Sequence, residues 1–170
     1  MTEYDTRQLR LRPGIVIAVT AGTWESPGNR IGGAVLDDAA RGFVTSGIYG
    51  HLVTLDPDGG PQVTLAWFDL DDDLVFATLF NQRKLDNLRR DPRAAVSFES
   101  DGVGEHGLRP YLVVRGTATV TEGGAPALLQ RLAHRYLGPD VVFPPMPDPP
   151  EGYVTRIAVE SVGGVGPWSE

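Results

Sequence analysis

The chain of 170 residues contains no cysteine, so disulfides, zinc–thiolate sites and a catalytic thiol are all excluded. A cytosolic, reducing home is the natural expectation for such a protein. Long apolar runs are also missing. Residues 15–19 make the one compact apolar stretch near the start, too short for a membrane span and set beside Pro13 and Gly14. Basic charge is scarce as well. The net charge is −7, which argues against nucleic acid or an anionic membrane as the main partner. Histidine is limited to His51, His106 and His134, without metal-ligand spacing or a serine-based triad around them. The rarest charged residue is lysine: Lys84 is the only one in the chain, against many arginines.

What is present reads as one globular domain, with 41% hydrophobic and 22% charged residues. Residues 1–32 are rich in glycine and proline and carry no long periodic element. They are expected to be an extension that wraps the domain or is poorly ordered, with the folded domain spanning residues 33–170. A short helix with acids in its first turn is predicted from Leu36 to about Gly47. Asp56-Pro57-Asp58-Gly59-Gly60 then joins two β-prone runs, residues 50–55 and 62–68, because proline presets φ and glycine accepts a positive φ. The acidic turn Asp71-Asp72-Asp73 leads into a third strand at 74–79. Further strands are predicted at 94–99, 111–120 and 153–161, with a helix at 125–137 and a proline-rich loop at 138–152 acting as a lid or packing loop. Six antiparallel strands with inserted helices make a small, mainly β barrel.

The remaining strong signal is Arg83-Lys84-Leu85-Asp86-Asn87-Leu88-Arg89-Arg90-Asp91-Pro92, predicted to be a helix stopped by its Asp-Pro pair. At 100° per residue, Arg83, Asn87 and Arg90 share one face, Lys84 lies on its flank, and Leu85 and Leu88 point toward a sheet. Lysine offers a compact point charge and arginine a planar fork, so the pair suits a phosphate contacted in more than one geometry. A solvated helix face has the same composition. Two other patterns carry less. Gly102-Val103-Gly104-Glu105-His106-Gly107 matches a dinucleotide fingerprint literally, but a strand rather than a helix follows it, so a hairpin loop is expected. The Asp71–Asp73 triplet reads as a solvated turn before it reads as a cation site.

In their order, Gly59-Gly60-Pro61-Gln62-Val63-Thr64, Phe68, Asp73-Leu74-Val75-Phe76-Ala77-Thr78 and the Lys84 segment resemble the pyridoxamine-phosphate-oxidase-like split-barrel superfamily. Within it they are similar to the deazaflavin-dependent oxidoreductase branch, as is the terminal Gly164-Val165-Gly166-Pro167-Trp168. The resemblance spans about residues 36–168. It implies a six-stranded antiparallel Greek-key split β-barrel that dimerises and holds its cofactor between subunits. It further implies Lys84 and Asn87 as cofactor anchors, Thr64 and Thr78 as strand positions facing the cofactor, and Gln62, Ala66 and Arg83 beside them. Gln82 stands where many relatives carry arginine. The implied cofactor is coenzyme F420, a deazaflavin, with FMN as the alternative. The implied activity is hydride transfer to an unsaturated small molecule. A non-catalytic carrier of flavin, deazaflavin or haem is the reading from another class. A reductase of this kind needs an anion anchor and small residues where a ring stacks, such as Ala66 and Ala77, rather than a nucleophile. If a proton donor is required, His51 and Tyr111 are the candidates.

Overall fold

The computed structural model describes residues 36–104 and 107–168; the extension assigned to residues 1–32 and its boundary lie outside them. Helix α1 (Asp38–Val44) starts where expected, with the Asp37 carboxylate accepting the Ala40 N–H at 2.7 Å. The strands are β1 (Gly50–Leu55), β2 (Pro61–Ala66), β3 (Asp69–Asp71), β4 (Asp73–Thr78), β5 (Arg93–Glu99), β6 (Tyr111–Glu122) and β7 (Tyr153–Val165). Between them lie α2 (Arg83–Arg90) and α3 (Ala125–Tyr136). No helix among the described residues is long and apolar enough to cross a membrane.

All pairings are antiparallel, in the order β2-β1-β5-β6-β7-β4-β3. Among the described residues the architecture is mainly β with three helices, consistent with a split barrel, but the sheet has seven strands and two open edges rather than six strands. The extra strand is β3. The run read as continuous through Phe68 ends at Ala66, and the chain re-forms three residues of ladder against β4 across Asp72, whose φ is 57°. Three residues are too few to show a period of two. The acidic triplet is the tip of this hairpin, with Asp71 paired to Arg156 at 2.7 Å.

The last strand is also longer than expected. Gly163 and Gly164, read as tail, pair with Val113 and Leu112. Gly164 takes φ 126°, and a Cβ there would sit 2.1 Å from the Tyr111 carbonyl oxygen, so close strand approach demands the glycine. Residues 102–104 and 107 lie in the β5–β6 connection, where the Gly104 N–H bonds to the Leu108 carbonyl at 2.7 Å. The glycine pattern is therefore a hairpin loop.

Alternate side chains of the strands fill the interior: Leu52, Phe76, Val96, Phe98, Leu112, Val114 and Ile157 are buried, with Phe68 at their centre. Leu85 and Leu88 of α2 join this core. On the outer face α3 lays Leu128 and Leu132 against Val75. It is fixed there by Asp69, whose buried carboxylate receives Arg131 at 2.7 Å and Arg135 at 2.6 Å. Tyr136 completes the joint, its hydroxyl 3.0 Å from the Ile48 carbonyl and 3.1 Å from the Phe68 N–H that it accepts.

Candidate functional site

Helix α2 does not present its face as the periodicity suggests. Lys84, Leu85, Asn87 and Leu88 are the buried set, while Arg83 and Arg90 stay outside. The buried arc is thus centred near Lys84 and Leu88, turned by about 50° from an axis through the two leucines. Lys84 is 8% exposed rather than a solvated flank residue. Its ammonium lies 5.9 Å from the centroid of the Phe76 ring, and no carboxylate among the described residues pairs with it. Burial pushes its pKa below the ordinary 10.5, since the charged form loses its water.

Lys84 borders a cavity of about 390 Å³. Ala66, Trp67, Ala77 and Phe143 give it an apolar wall, and Thr78, Gln82 and Lys84 supply its polar end. The Thr78 hydroxyl is buried and has no hydrogen-bond partner. Gln82 caps α2 without a side-chain hydrogen bond, and the first helical bond runs from Leu85 N–H to the Gln82 carbonyl at 2.8 Å. The N–H groups of Arg83 and Lys84 therefore lack an intrahelical acceptor. A buried cation and the positive end of a helix dipole border one cavity, which is the chemistry of an anion site.

Gln62, Thr64 and Ala66 alternate along one face of β2. Ala66 reaches the cavity, the Thr64 hydroxyl is buried without a partner, and Gln62 belongs to a polar cluster at the far end. Asn87 is the hub of that cluster. Its amide nitrogen lies 3.1 Å from the Thr54 hydroxyl, 2.9 Å from Asp56 and 3.1 Å from Gln62, and its oxygen accepts from Arg90 at 3.2 Å. Arg90 also donates to the Leu55 carbonyl. Asn87 thereby fastens α2 to the β1–β2 hairpin and does not line the cavity. Arg83 holds Asp56 through a two-pronged ion pair, both contacts at 2.7 Å. Asn87 first, and Arg83 with it, keep the Asp56 carboxyl below its ordinary value against the opposing effect of burial.

Of the residues expected at the site, Ala66, Thr78 and Lys84 meet at the cavity, whereas Gln62, Arg83 and Asn87 form the adjoining cluster. His51 is elsewhere. It borders a second cavity of about 350 Å³ beyond Tyr49, with Glu99, Asp101 and Arg109. Arg109 is paired there with Glu99 at 3.7 Å and the described lining is net acidic, which suits an anion poorly. Tyr111 offers its carbonyl to the Trp168 indole at 3.1 Å and lines neither cavity.

Sequence reasoning missed Tyr49, Leu129 and Phe143 as cavity walls. Phe143 had a signal, as the apolar residue inside the proline-rich loop. It tilts against Trp67 at 5.3 Å, and the loop is pinned by Gln130, which accepts the Phe143 N–H at 2.9 Å.

This layout has relatives. Residues 36–166 match the family model described as pyridoxamine 5'-phosphate oxidase. The chain belongs to the pyridoxamine 5'-phosphate oxidase family. Among solved members of this fold, a protein named F420 reductase shares 26% identity with a TM-score of 0.60, the match covering 76% of this chain and 98% of that one. A conserved hypothetical protein from Mycobacterium tuberculosis shares 24% identity with a TM-score of 0.62, covering 82% and 88%. A haem storage protein from Vibrio cholerae shares 17% identity with a TM-score of 0.55, covering 72% and 89%. The last two show the fold alone. No match was found among curated proteins.

Proposed function

We propose that this family member is an oxidoreductase that transfers a hydride between coenzyme F420 and an unsaturated small-molecule acceptor. The observation that carries the reading is the buried Lys84 ammonium, with no carboxylate partner among the described residues, beside the open N-terminus of α2. These groups fit the phosphate-bearing part of such a cofactor. When bound, the deazaflavin supplies the hydride. Lys84 and the first N–H groups of α2 hold the anion, while Asn87 fixes the helix that carries them. Ala66 and Ala77 leave space for a flat ring system, and Trp67 and Phe143 keep water off it. The likeness to the F420 reductase supports deazaflavin over FMN. The haem-carrier reading is less well served, because the described lining of the cavity has no histidine, cysteine or methionine and offers an iron Tyr49 as its one phenolic ligand.

Deazaflavin reacts poorly with oxygen, so the protein made in a host lacking that cofactor should purify nearly colourless. Given reduced deazaflavin, it should oxidise it only when an organic acceptor is added. Stoichiometric FMN in the purified protein, with no response to deazaflavin, makes the FMN-dependent oxidoreductase the better reading.

The proposal includes a homodimer with the cofactor near the subunit boundary. Three of the large aromatic residues are used internally: Phe68 is fully buried, Trp67 stacks on Tyr136 at 5.3 Å, and Trp168 packs on Phe43 at 4.6 Å. Other residues make the case. Val63 and Leu65 stand 58% and 60% exposed on the outer face of edge strand β2, with Tyr49 and Phe80 also exposed at the cavity. Sedimentation at micromolar concentration should give twice the chain mass, and Leu65→Glu should shift it to monomer. A wild-type monomer contradicts the subunit-boundary site.

A further inference from the structure

Arg83 is the first residue of α2, between Gln82 and Lys84, which both line the anion cavity, yet its guanidinium faces away. Both prongs of its fork are engaged by Asp56 at 2.7 Å, although the arginine side chain is 66% exposed and has room to move. Asp56 is itself only 13% exposed and is braced by the Asn87 amide at 2.9 Å. The other polar groups facing it are Gln62 and Arg90, through Asn87. An arginine at the first turn of a helix whose N-terminus holds an anion is a natural additional ligand for that anion. Here a fixed carboxylate already occupies its fork.

We propose that Asp56 is a built-in competitor of the bound anion for Arg83, setting the affinity and the number of cofactor charges the site accepts. The inference rests on the anion site proposed above. With Arg83 held, a single lysine and the helix end meet the ligand, a set suited to one phosphodiester charge. With Arg83 released, the same site gains a bidentate donor and favours a dianionic phosphate monoester such as that of FMN. Asp56 is thus a specificity-determining residue for the choice between the two cofactors.

The test is calorimetric titration of the full chain with coenzyme F420, FMN and inorganic pyrophosphate. The variants are Asp56→Asn, Arg83→Lys, Lys84→Ala and the double variant Asp56→Asn/Arg83→Gln. Asn at position 56 keeps an oxygen for Asn87, so the cluster is preserved, and a thermal melt checks this. Asp56→Asn should tighten FMN and pyrophosphate binding by roughly tenfold and F420 binding by less. The gain should vanish in the double variant. Arg83→Lys leaves Asp56 and its Asn87 contact intact but cannot form the two-pronged pair, so it should show part of the gain. A gain that persists without Arg83 would be general relief of negative charge, and it overturns the proposal, as does an unchanged affinity in Asp56→Asn. Loss of all three ligands in Lys84→Ala tests the anion site itself. If that loss occurs while Asp56→Asn does nothing, the competitor role alone fails; if Lys84→Ala binds like wild type, the cofactor reading fails with it.

Discussion

Replacing Lys84 with methionine should make the ligand-free protein more stable while crippling its affinity for an anionic cofactor. Methionine keeps the length and apolar stem of lysine and removes an ammonium that is buried beside Phe76 with no carboxylate partner among the described residues. Relief of that desolvation should be worth about 1 kcal/mol, a rise of roughly 2–4 °C in the melting midpoint for a chain of this size. Binding should weaken by about one to two decades, the value of a lost charge-assisted hydrogen bond at roughly 1.5–3 kcal/mol. The pH dependence separates this from a packing effect. Because the folded-state pKa lies below the ordinary 10.5, the folded protein holds this proton less tightly than the unfolded chain. Lysine therefore lowers stability below its folded pKa, and wild-type stability recovers as pH rises from that value toward 10.5. The methionine variant should lack this rise. Melting curves with and without ligand across alkaline pH would show it; a variant that is less stable at neutral pH would mean Lys84 serves the fold.

The largest loss of stability is expected from Asp69→Asn. Asp69 is 4% exposed, and its carboxylate takes Arg131, Arg135 and the Leu70 N–H, joining α3 to the start of β3. Burial alone would raise its pKa, but the hydrogen bonds from Arg131 and Arg135 outweigh that and hold it below 3.8. Asparagine keeps the shape and loses the charge. Arg131 and Arg135 are partly exposed and can turn to water, so the cost should be about 2–3 kcal/mol, below that of stranding a fully buried partner. Since the pKa is lowered on folding, this stability is fully present above the ordinary aspartate value and disappears as pH falls through the folded one. Urea unfolding at neutral pH and at pH 3 should therefore show a variant defect that shrinks with acid. A constant defect would assign the effect to packing. Cofactor affinity should fall too, because α3 carries Leu129 of the cavity wall and Tyr136 behind Trp67.

Much of the ladder was legible because turn chemistry is local. Asp56-Pro57-Asp58-Gly59 closes β1 onto β2 through an Asp56 N–H bond to the Gly60 carbonyl at 2.8 Å, and Asp91-Pro92 ends α2 as expected. Where the reading failed, the deciding interaction was distant in sequence. β3 exists because β4 offers it a partner. The end of β7 reads as tail because its glycines look like breakers, yet Gly164 is there to let the Tyr111 backbone come close. Lys84 was singled out by its rarity, but its burial was not, since a helical wheel places charges outward by default. The cavity walls Tyr49, Leu129 and Phe143 come from three separate segments, and no local spacing links them to β2 or α2. Asn87 was chosen as an anchor; the cluster that engages it depends on Thr54, Asp56 and Gln62 of another hairpin.

The central claim, an anion-anchored deazaflavin site at Lys84, is tested most directly by titrating the purified wild-type chain with coenzyme F420 and with FMN side by side, under identical salt and pH. Saturable F420 binding that is tighter than FMN binding, and that weakens by at least tenfold in Lys84→Met, is the predicted result. Tighter FMN binding, or an F420 affinity indifferent to Lys84, would contradict it.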